Sequence, residues 1–195
     1  MTVLLSMAAF ALAASITPGP VNLVVLSSAA QHGLGVSLRF VTGATLGFTL
    51  LLLLTGLGLH ELLRRLPYLV AAIQWGGVAF LLYMAFRLAA DDGRLGEQGR
   101  GQAPTLLQGA VLQWLNPKAW LAALAGMGAF AAGGETARVW IFTAIYFVIC
   151  YASLACWSYA GAFLRRYLHQ PRRIRWFNRL MALLLALSAL YLLLG

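Results

Sequence analysis

The sequence predicts an all-α integral membrane protein with six transmembrane helices, arranged as two inverted three-helix repeats. Two observations support this fold class. Of the 195 residues, 62% are hydrophobic and 10% are charged, whereas soluble domains carry about 25% charged residues. The apolar residues also form six runs, each long enough for the roughly 17–25 residues that a membrane helix needs. We therefore expect a single transmembrane domain over residues 1–195.

The first repeat is expected over about residues 3–90. Its first segment needs one check, because a short apolar run near an N-terminus can be a cleaved signal peptide. No Lys or Arg precedes this run, so the basic region of a signal peptide is missing and we expect a retained helix. The second segment carries Gly43-x-x-x-Gly47, which permits close backbone approach within the chain or in a homodimer. The three segments cover about residues 3–30, 38–59 and 68–89.

The second repeat is expected over about residues 105–195. A polar linker at about 91–104, rich in Gly and charged residues, separates the two repeats. The three segments of the second repeat cover about residues 105–132, 137–164 and 176–194.

Segments one and four each contain a proline break. The first is Thr17-Pro18-Gly19-Pro20, followed by Asn22, and the second is Asn116-Pro117-Lys118. Proline removes a backbone donor and interrupts the helical hydrogen bonds. In hydrocarbon the freed carbonyls need partners, so such breaks survive only where protein or a water-filled cavity covers them. Matching breaks in two halves are the best sequence indication of a transporter's binding site.

The position of the two breaks predicts the inverted repeat. Pro18 and Pro117 are 99 positions apart, about half the chain. Three helices per half mean that the second half enters the membrane from the opposite side. Sequence identity between the halves is negligible, so this prediction rests on the pattern of segments alone.

The orientation follows from the basic residues at the segment ends, because cytoplasmic loops carry an excess of Lys and Arg. Ten arginines are expected on one side and three on the other, so both termini should face outward. The larger set is Arg39, Arg87, Arg94, Arg100, Arg165, Arg166, Arg172, Arg173, Arg175 and Arg179, and the smaller set is Arg64, Arg65 and Arg138.

Lys118 is the sharpest functional signal. A lysine at mid-membrane costs at least about 2.5–3.5 kcal/mol, and no Asp or Glu lies within any of the six segments. We therefore expect Lys118 to bind the carboxylate of a substrate. The alternatives are a structural bond to broken-helix carbonyls and a side chain that reaches to an interface.

The first break offers groups that complement an amino acid. A helix that restarts after Pro20 has free N–H groups that suit an anion, and carbonyls freed before the break suit an ammonium. A simple kink is the alternative. Gln113 and Asn116 precede Lys118 closely enough to line the same cavity. The predicted substrate-binding residues are Thr17, Pro18, Gly19, Pro20, Asn22, Gln113, Asn116, Pro117 and Lys118.

Other site types have little support in the sequence. No cluster has metal-ligand spacing, and no phosphate-binding Gly-rich loop is present, so we expect neither a metal nor a cofactor. Cys150 and Cys156 lie six positions apart on one segment, and their side chains would diverge too far for a disulfide. The arginines are at segment ends, which argues against nucleic acid as a partner.

The two breaks together match a known pattern, and the chain resembles the LysE/RhtB family of amino-acid exporters. The resemblance covers nearly the whole chain and is closest to the cysteine/O-acetylserine exporter branch. It is carried by Thr17-Pro18-Gly19-Pro20 with Asn22, by Gly33, by Gly43 and Gly47, by Gly77-x-x-Phe80-Leu81 with Arg87, and by Asn116-Pro117-Lys118-Ala119.

The chain departs from the family pattern at two positions. Val21 stands where the family commonly has Asn or Asp, and Phe80 stands where Tyr is usual. The resemblance implies export driven by the proton gradient. Because no acid lies within the segments, the candidate proton carriers are Lys118 and, at a mouth of the site, His32 or His60.

We therefore expect a secondary transporter, not an enzyme, in the inner membrane. It would export amino acids or small amino-acid derivatives, with protons as the coupling ion and the lipid bilayer as its environment. A divalent-cation exporter and a small membrane-embedded enzyme are the alternatives. Both would need carboxylates, histidines or thiolates facing a pore or pocket.

Overall fold

The described part of the chain is all-α. The computed structural model describes residues 2–59, 67–90, 103–131, 135–167 and 170–194. These ranges hold helices α1 (Thr2–Ile16), α2 (Pro20–His32), α3 (Leu34–Leu54), α4 (Pro67–Ala89), α5 (Leu106–Trp114), α6 (Pro117–Phe130), α7 (Thr136–Arg165) and α8 (Pro171–Leu194), with a π-helical turn, Thr55–Leu59, after α3. The predicted all-α class is confirmed for these residues.

Two or three apolar spans stand out among the described residues. The stretch Leu34–Gly58 and helix α7 are each long and apolar enough to cross a membrane. Helices α1 and α2 form a third span if the bent pair counts as one, with a 61° bend between them. These spans fit a membrane protein. The arrangement of six spans in two inverted repeats stays a prediction.

Both proline breaks interrupt helices where the sequence places them. α1 ends at Ile16 and α2 begins at Pro20, while α5 ends at Trp114 and α6 begins at Pro117. Proline suits the first position of a helix because its fixed φ is helical and its missing N–H would have no partner there. Each break therefore ends with a proline that starts the next helix.

Two predicted boundaries need correction. The gap between the first two predicted segments, which end at about residue 30 and begin at about residue 38, reduces to Gly33, whose φ of 87° lies in the left-handed region that glycine adopts without strain. The last helix begins at Pro171 rather than at residue 176. Its arginines continue the helix because Arg has high helix propensity and these side chains can remain exposed. The linker at 91–104 lies mostly outside the described residues.

Helix α7 occupies the centre of the described fold. It packs against α1, α2 and α3, while α3 also packs against α5, and α4 packs against α8. The α3–α5 contact is close because a Cβ at Gly43 would fall on the carbonyl of Leu106, and one at Gly47 would lie 2.7 Å from Ala110 Cα. The glycine face is thus used within the chain, so a homodimer would need another surface.

Candidate functional site

The first helix break leaves carbonyls that side chains from elsewhere bind. Asn22 Nδ2 donates to the Ser15 carbonyl at 2.9 Å. Trp157 Nε1, on α7, donates to the Ile16 carbonyl at 3.0 Å. These bonds satisfy groups that lose their helical partner at the break, as an apolar environment requires.

Lys118 binds the next two carbonyls of the same break. Its Nζ donates to the Thr17 carbonyl and lies 3.4 Å from the Pro18 carbonyl. Its side chain also crosses Gly19, where an added Cβ would lie 2.9 Å from Lys118 Cδ and 3.2 Å from Nζ. Lys118 therefore joins the start of α6 to the break between α1 and α2, and Gly19 leaves room for it.

The second break is stabilised mainly by its own neighbours. Asn116 is the N-cap of α6, and its Oδ1 accepts a hydrogen bond from the Lys118 backbone N–H at 3.1 Å. Such caps satisfy donors that the first helical turn leaves unpaired. Trp120 Nε1 reaches back to the Trp114 carbonyl at 2.7 Å. The backbone that presents Lys118 is therefore fixed from both sides of the break.

A small cavity lies between the two breaks and α7. Its volume is about 40 Å³, which holds a few water molecules, at about 10–15 Å³ each, but not an amino acid. The lining residues are Ala14, Ser15, Val21, Asn22, Phe48, Gln113, Asn116, Lys118, Ala119, Ala122, Tyr146, Cys150 and Leu154. The cavity has a polar side at the breaks and a mostly apolar side opposite.

Among the residues that line the cavity, Lys118 is the one with a charged side chain. In the described part of the chain, Glu135 is the one acidic side chain. It pairs with Arg138 at 2.6 Å. Within that part of the chain the positive charge of Lys118 is balanced by carbonyl dipoles. A cation that is balanced by dipoles rather than by a carboxylate favours a ligand that brings a negative group.

Packed layers lie on either side of the cavity along α7. On α7, Phe142 lies eight residues before Cys150 and Ser158 lies eight residues after it, about 12 Å along the helix in each direction. At the Phe142 end, an aromatic cluster fills the space between helices. Its members are Phe10, Phe48, Phe130, Phe142 and Tyr146.

On the other side of the cavity, α7 makes polar and backbone contacts with α2 and α3. Ser37 and Ser158 hydroxyls are 2.7 Å apart, and Ser37 Oγ donates to the Val25 carbonyl at 3.0 Å. A Cβ at Gly161 would fall on the Leu26 carbonyl, so α2 and α7 touch there.

The nine sequence-predicted residues all lie at the two breaks. Four of them line the cavity: Asn22, Gln113, Asn116 and Lys118. Three others contact Lys118 through backbone atoms: Thr17, Pro18 and Gly19. The remaining two, Pro20 and Pro117, start helices and do not line the cavity. Their roles in substrate binding remain predictions.

Sequence reasoning missed four residues of the site. Ser15, Tyr146 and Cys150 line the cavity, and Trp157 binds the first break. Tyr146 and Cys150 are one helical turn apart in an apolar segment, a spacing that places both on one face. This spacing could have indicated Tyr146 and Cys150 from the sequence. Nothing in the sequence beyond its residue type indicates Trp157.

Two further expectations concern cysteines and metals. Cys150 is buried and Cys156 is exposed, and both are free. Among the described residues, no group of three or more His, Cys, Asp or Glu could hold a metal ion. His60, one candidate proton carrier, lies outside the described residues.

Comparison with known proteins gives two kinds of match. The model of a family described as LysE type translocator matches residues 12–195. The chain is 28% identical over 183 residues to a cysteine/O-acetylserine efflux protein of Salmonella choleraesuis, with 92% of each chain covered. It is 29% identical over 183 residues to the protein of that name from Escherichia coli, again with 92% of each covered. No solved structure matches the chain.

Proposed function

The chain belongs to the family of LysE type translocators, and from that premise we propose that it exports amino acids or small amino-acid derivatives across the cytoplasmic membrane. The family and the matched relatives are transporters, not enzymes. The observation that carries the proposal is the bond from Lys118 Nζ to the Thr17 carbonyl. It places a cation and an ammonium-binding group side by side at a helix break.

A zwitterion complements this arrangement at both ends. The Thr17 and Pro18 carbonyls suit the α-ammonium of a substrate. The substrate carboxylate would meet Lys118 and the start of α2, whose N-cap, Gly19, makes no side-chain cap hydrogen bond. Uncapped N–H groups at a helix start attract anions.

Lys118 binds the carbonyls that the substrate ammonium would use. Binding is therefore an exchange, in which the substrate ammonium takes the carbonyls and Lys118 turns to the substrate carboxylate. The exchange keeps every charged group partnered, because one cation replaces another and the displaced cation gains an anion.

Alternating separation of the two packed layers on either side of the cavity would complete the transport cycle. The cavity of about 40 Å³ must widen to hold a substrate. We propose that the Ser37–Ser158 contact separates to admit substrate from the cytoplasm. The aromatic cluster would then separate to release it. This direction follows from the proposed orientation, with both termini outside the cytoplasm.

Proton coupling is part of the proposal and rests on the family resemblance. Lys118 is the candidate carrier at the site because its ammonium changes partner during the cycle. His32, at the end of α2, is the candidate at the cytoplasmic mouth.

Efflux from cells preloaded with labelled amino acids tests the function. We expect one class of amino acid to leave faster than from cells with an empty vector, and a protonophore to abolish the difference. Efflux that persists with the protonophore would reject proton coupling alone. An inserted protein that exports no amino acid would reject the proposed function.

A further inference from the structure

The outer face of α8 carries a stripe of exposed side chains that changes from cationic to aromatic to aliphatic along the helix. We propose that this stripe binds an anionic phospholipid, with the lipid phosphate at its two arginines and an acyl chain along its leucines. The inference does not depend on what the protein exports. The members of the stripe are Arg172, Trp176, Arg179, Leu180, Leu183 and Leu187.

The spacing of these six residues places them on one face of the helix. They lie at positions i, i+4, i+7, i+8, i+11 and i+15, a pattern that repeats with the helical turn. The opposite face of α8 is buried at Ile174, Asn178, Met181 and Leu185, and α8 packs against α4 and α2. The stripe therefore points away from these helices, toward the lipid around a membrane protein.

The arginines of the stripe have no carboxylate partner among the described residues. Glu135 is the one acidic side chain in that part of the chain, and it pairs with Arg138 near the start of α7. From Thr136 to the C-terminus the sequence has seven arginines and no Asp or Glu. A lipid phosphate would supply the missing anion, and the fork of donors on arginine matches phosphate geometry.

The length of the stripe fits one leaflet of a bilayer. The sequence predicts a membrane segment from about residue 176, and the helix rises about 16 Å from Trp176 to Leu187. One leaflet contributes roughly 15 Å to a hydrocarbon core of about 30 Å. Trp176 has 65% relative exposure, and tryptophan is enriched at the level of the lipid headgroups. Arg172 then lies about 6 Å beyond Trp176, on the headgroup side.

Arg179 lies about 4.5 Å deeper than Trp176 along the helix, yet its guanidinium can reach the headgroup level. Side chains on a helix lean toward its N-terminus, which in α8 is the headgroup side. The long apolar stem of arginine also lets its charged end extend to the interface. Arg172 and Arg179 can therefore bind the same phosphate.

The start of α8 is fixed to its neighbours. Ile174 is buried together with Ala30, and Leu164 packs against them. Arg173 Nη1 donates to the Tyr167 carbonyl at 3.4 Å, which joins the start of α8 to the end of α7. A preformed surface loses less conformational freedom on binding, so the stripe can act as a site for a lipid molecule.

Quenching of Trp176 fluorescence by brominated lipids tests the proposal. Purified protein is reconstituted into phosphatidylcholine that contains either brominated phosphatidylglycerol or brominated phosphatidylcholine. Trp176→Phe protein supplies the signal of the other tryptophans, which is subtracted. We expect phosphatidylglycerol to bind about 10- to 25-fold more tightly at Trp176 than phosphatidylcholine, since each arginine near a membrane surface contributes about fivefold.

Two double variants locate the site. In Arg172→Gln/Arg179→Gln protein, the preference for phosphatidylglycerol should fall to within about twofold of none. Arg172→Lys/Arg179→Lys protein should keep an intermediate preference, because lysine retains the charge but not the fork of donors. The matched control is Arg39→Gln/Arg138→Gln, which removes two exposed cations outside the stripe and should keep the wild-type preference.

Four outcomes would overturn the lipid site. Equal quenching by the two lipids would show no preference for the anion, and an equal loss in the matched control would show only diffuse attraction. Displacement of brominated phosphatidylglycerol by excess inorganic phosphate would show a site for free anions. Absence of quenching by both lipids would show that protein, such as a second copy, covers the stripe. The assay measures no export, so its result is separate from that of the proposed function.

Discussion

The two helix breaks have similar sequences but are stabilised differently. At the first break, the carbonyls of residues 15–18 accept bonds from Asn22, Trp157 and Lys118, of which two belong to α7 and α6. At the second break, Asn116 caps its own helix, and Trp120 Nε1 donates to the Trp114 carbonyl. The first break depends on other helices, whereas the second is nearly self-sufficient.

This difference indicates a separate role for each break. Bonds between helices can exchange partners when a ligand arrives, because the ligand can replace one donor with another. A capped helix start instead holds its side chains in a fixed position. We infer that the second break presents Lys118 and that the first break is the surface on which Lys118 and the substrate exchange.

Among the variants that compare the two breaks, removal of the Lys118 ammonium should reduce export the most. Lys118→Met keeps the length of the side chain but removes the donor that joins the breaks. We expect export to fall about 100-fold, since hydrogen bonds to a charged group contribute about 1.5–3 kcal/mol each. The measurement is initial efflux per amount of inserted protein. Arg138→Met, which removes an exposed cation, is the control, and wild-type export by Lys118→Met would refute the assignment.

Gly19→Ala should give the next largest effect. The added Cβ would lie 2.9 Å from Lys118 Cδ, so the lysine must move away from the carbonyls. Backbone strain is not the cause, because Gly19 has an extended φ of −168°. We expect about a tenfold loss of export, roughly one charge-assisted bond weakened.

A matched glycine and a double variant sharpen this prediction. Gly35→Ala should be neutral, because no heavy atom lies within 4 Å of its added Cβ. Gly19→Ala should cause no further loss of export in the Lys118→Met background, since both changes act on one contact. Additive losses would show that Gly19 acts independently of Lys118.

The two asparagines should differ in their effects on stability. Asn22→Ala leaves the buried Ser15 carbonyl without its side-chain donor, and we expect a loss of about 1–3 kcal/mol. Asn116→Ala removes a helix cap, with an expected loss of about 1 kcal/mol. Thermal unfolding in detergent measures both. A larger loss for Asn116→Ala would contradict the view that the second break is the more self-sufficient one.

Trp157→Phe should have the smallest effect. It keeps an aromatic ring but removes the bond to the Ile16 carbonyl, for an expected loss of about 0.5–1.5 kcal/mol. Trp140→Phe, at a position with 55% relative exposure, is the control in the same unfolding assay. Equal shifts for the two variants would mean that the Trp157 bond contributes nothing to the first break.

Much of the site could be predicted from local sequence. The prolines placed both helix breaks, because their chemistry interrupts a helix in any context. Lys118 stood out because a lone cation in an apolar segment needs a partner. Ser15 and Trp157 gave no such signal, since each residue type is common in membrane helices and acquires its role only from what it faces.

The sequence by itself determined the all-α class, the positions of the two breaks and the membership in a family of translocators. Each depends on composition or on short motifs, which act through local physics. Only the tertiary structure decided that Lys118 binds the Thr17 and Pro18 carbonyls and that Ser15 faces a cavity. These contacts join residues about 100 positions apart, and helix packing, which local sequence does not encode, brings them together.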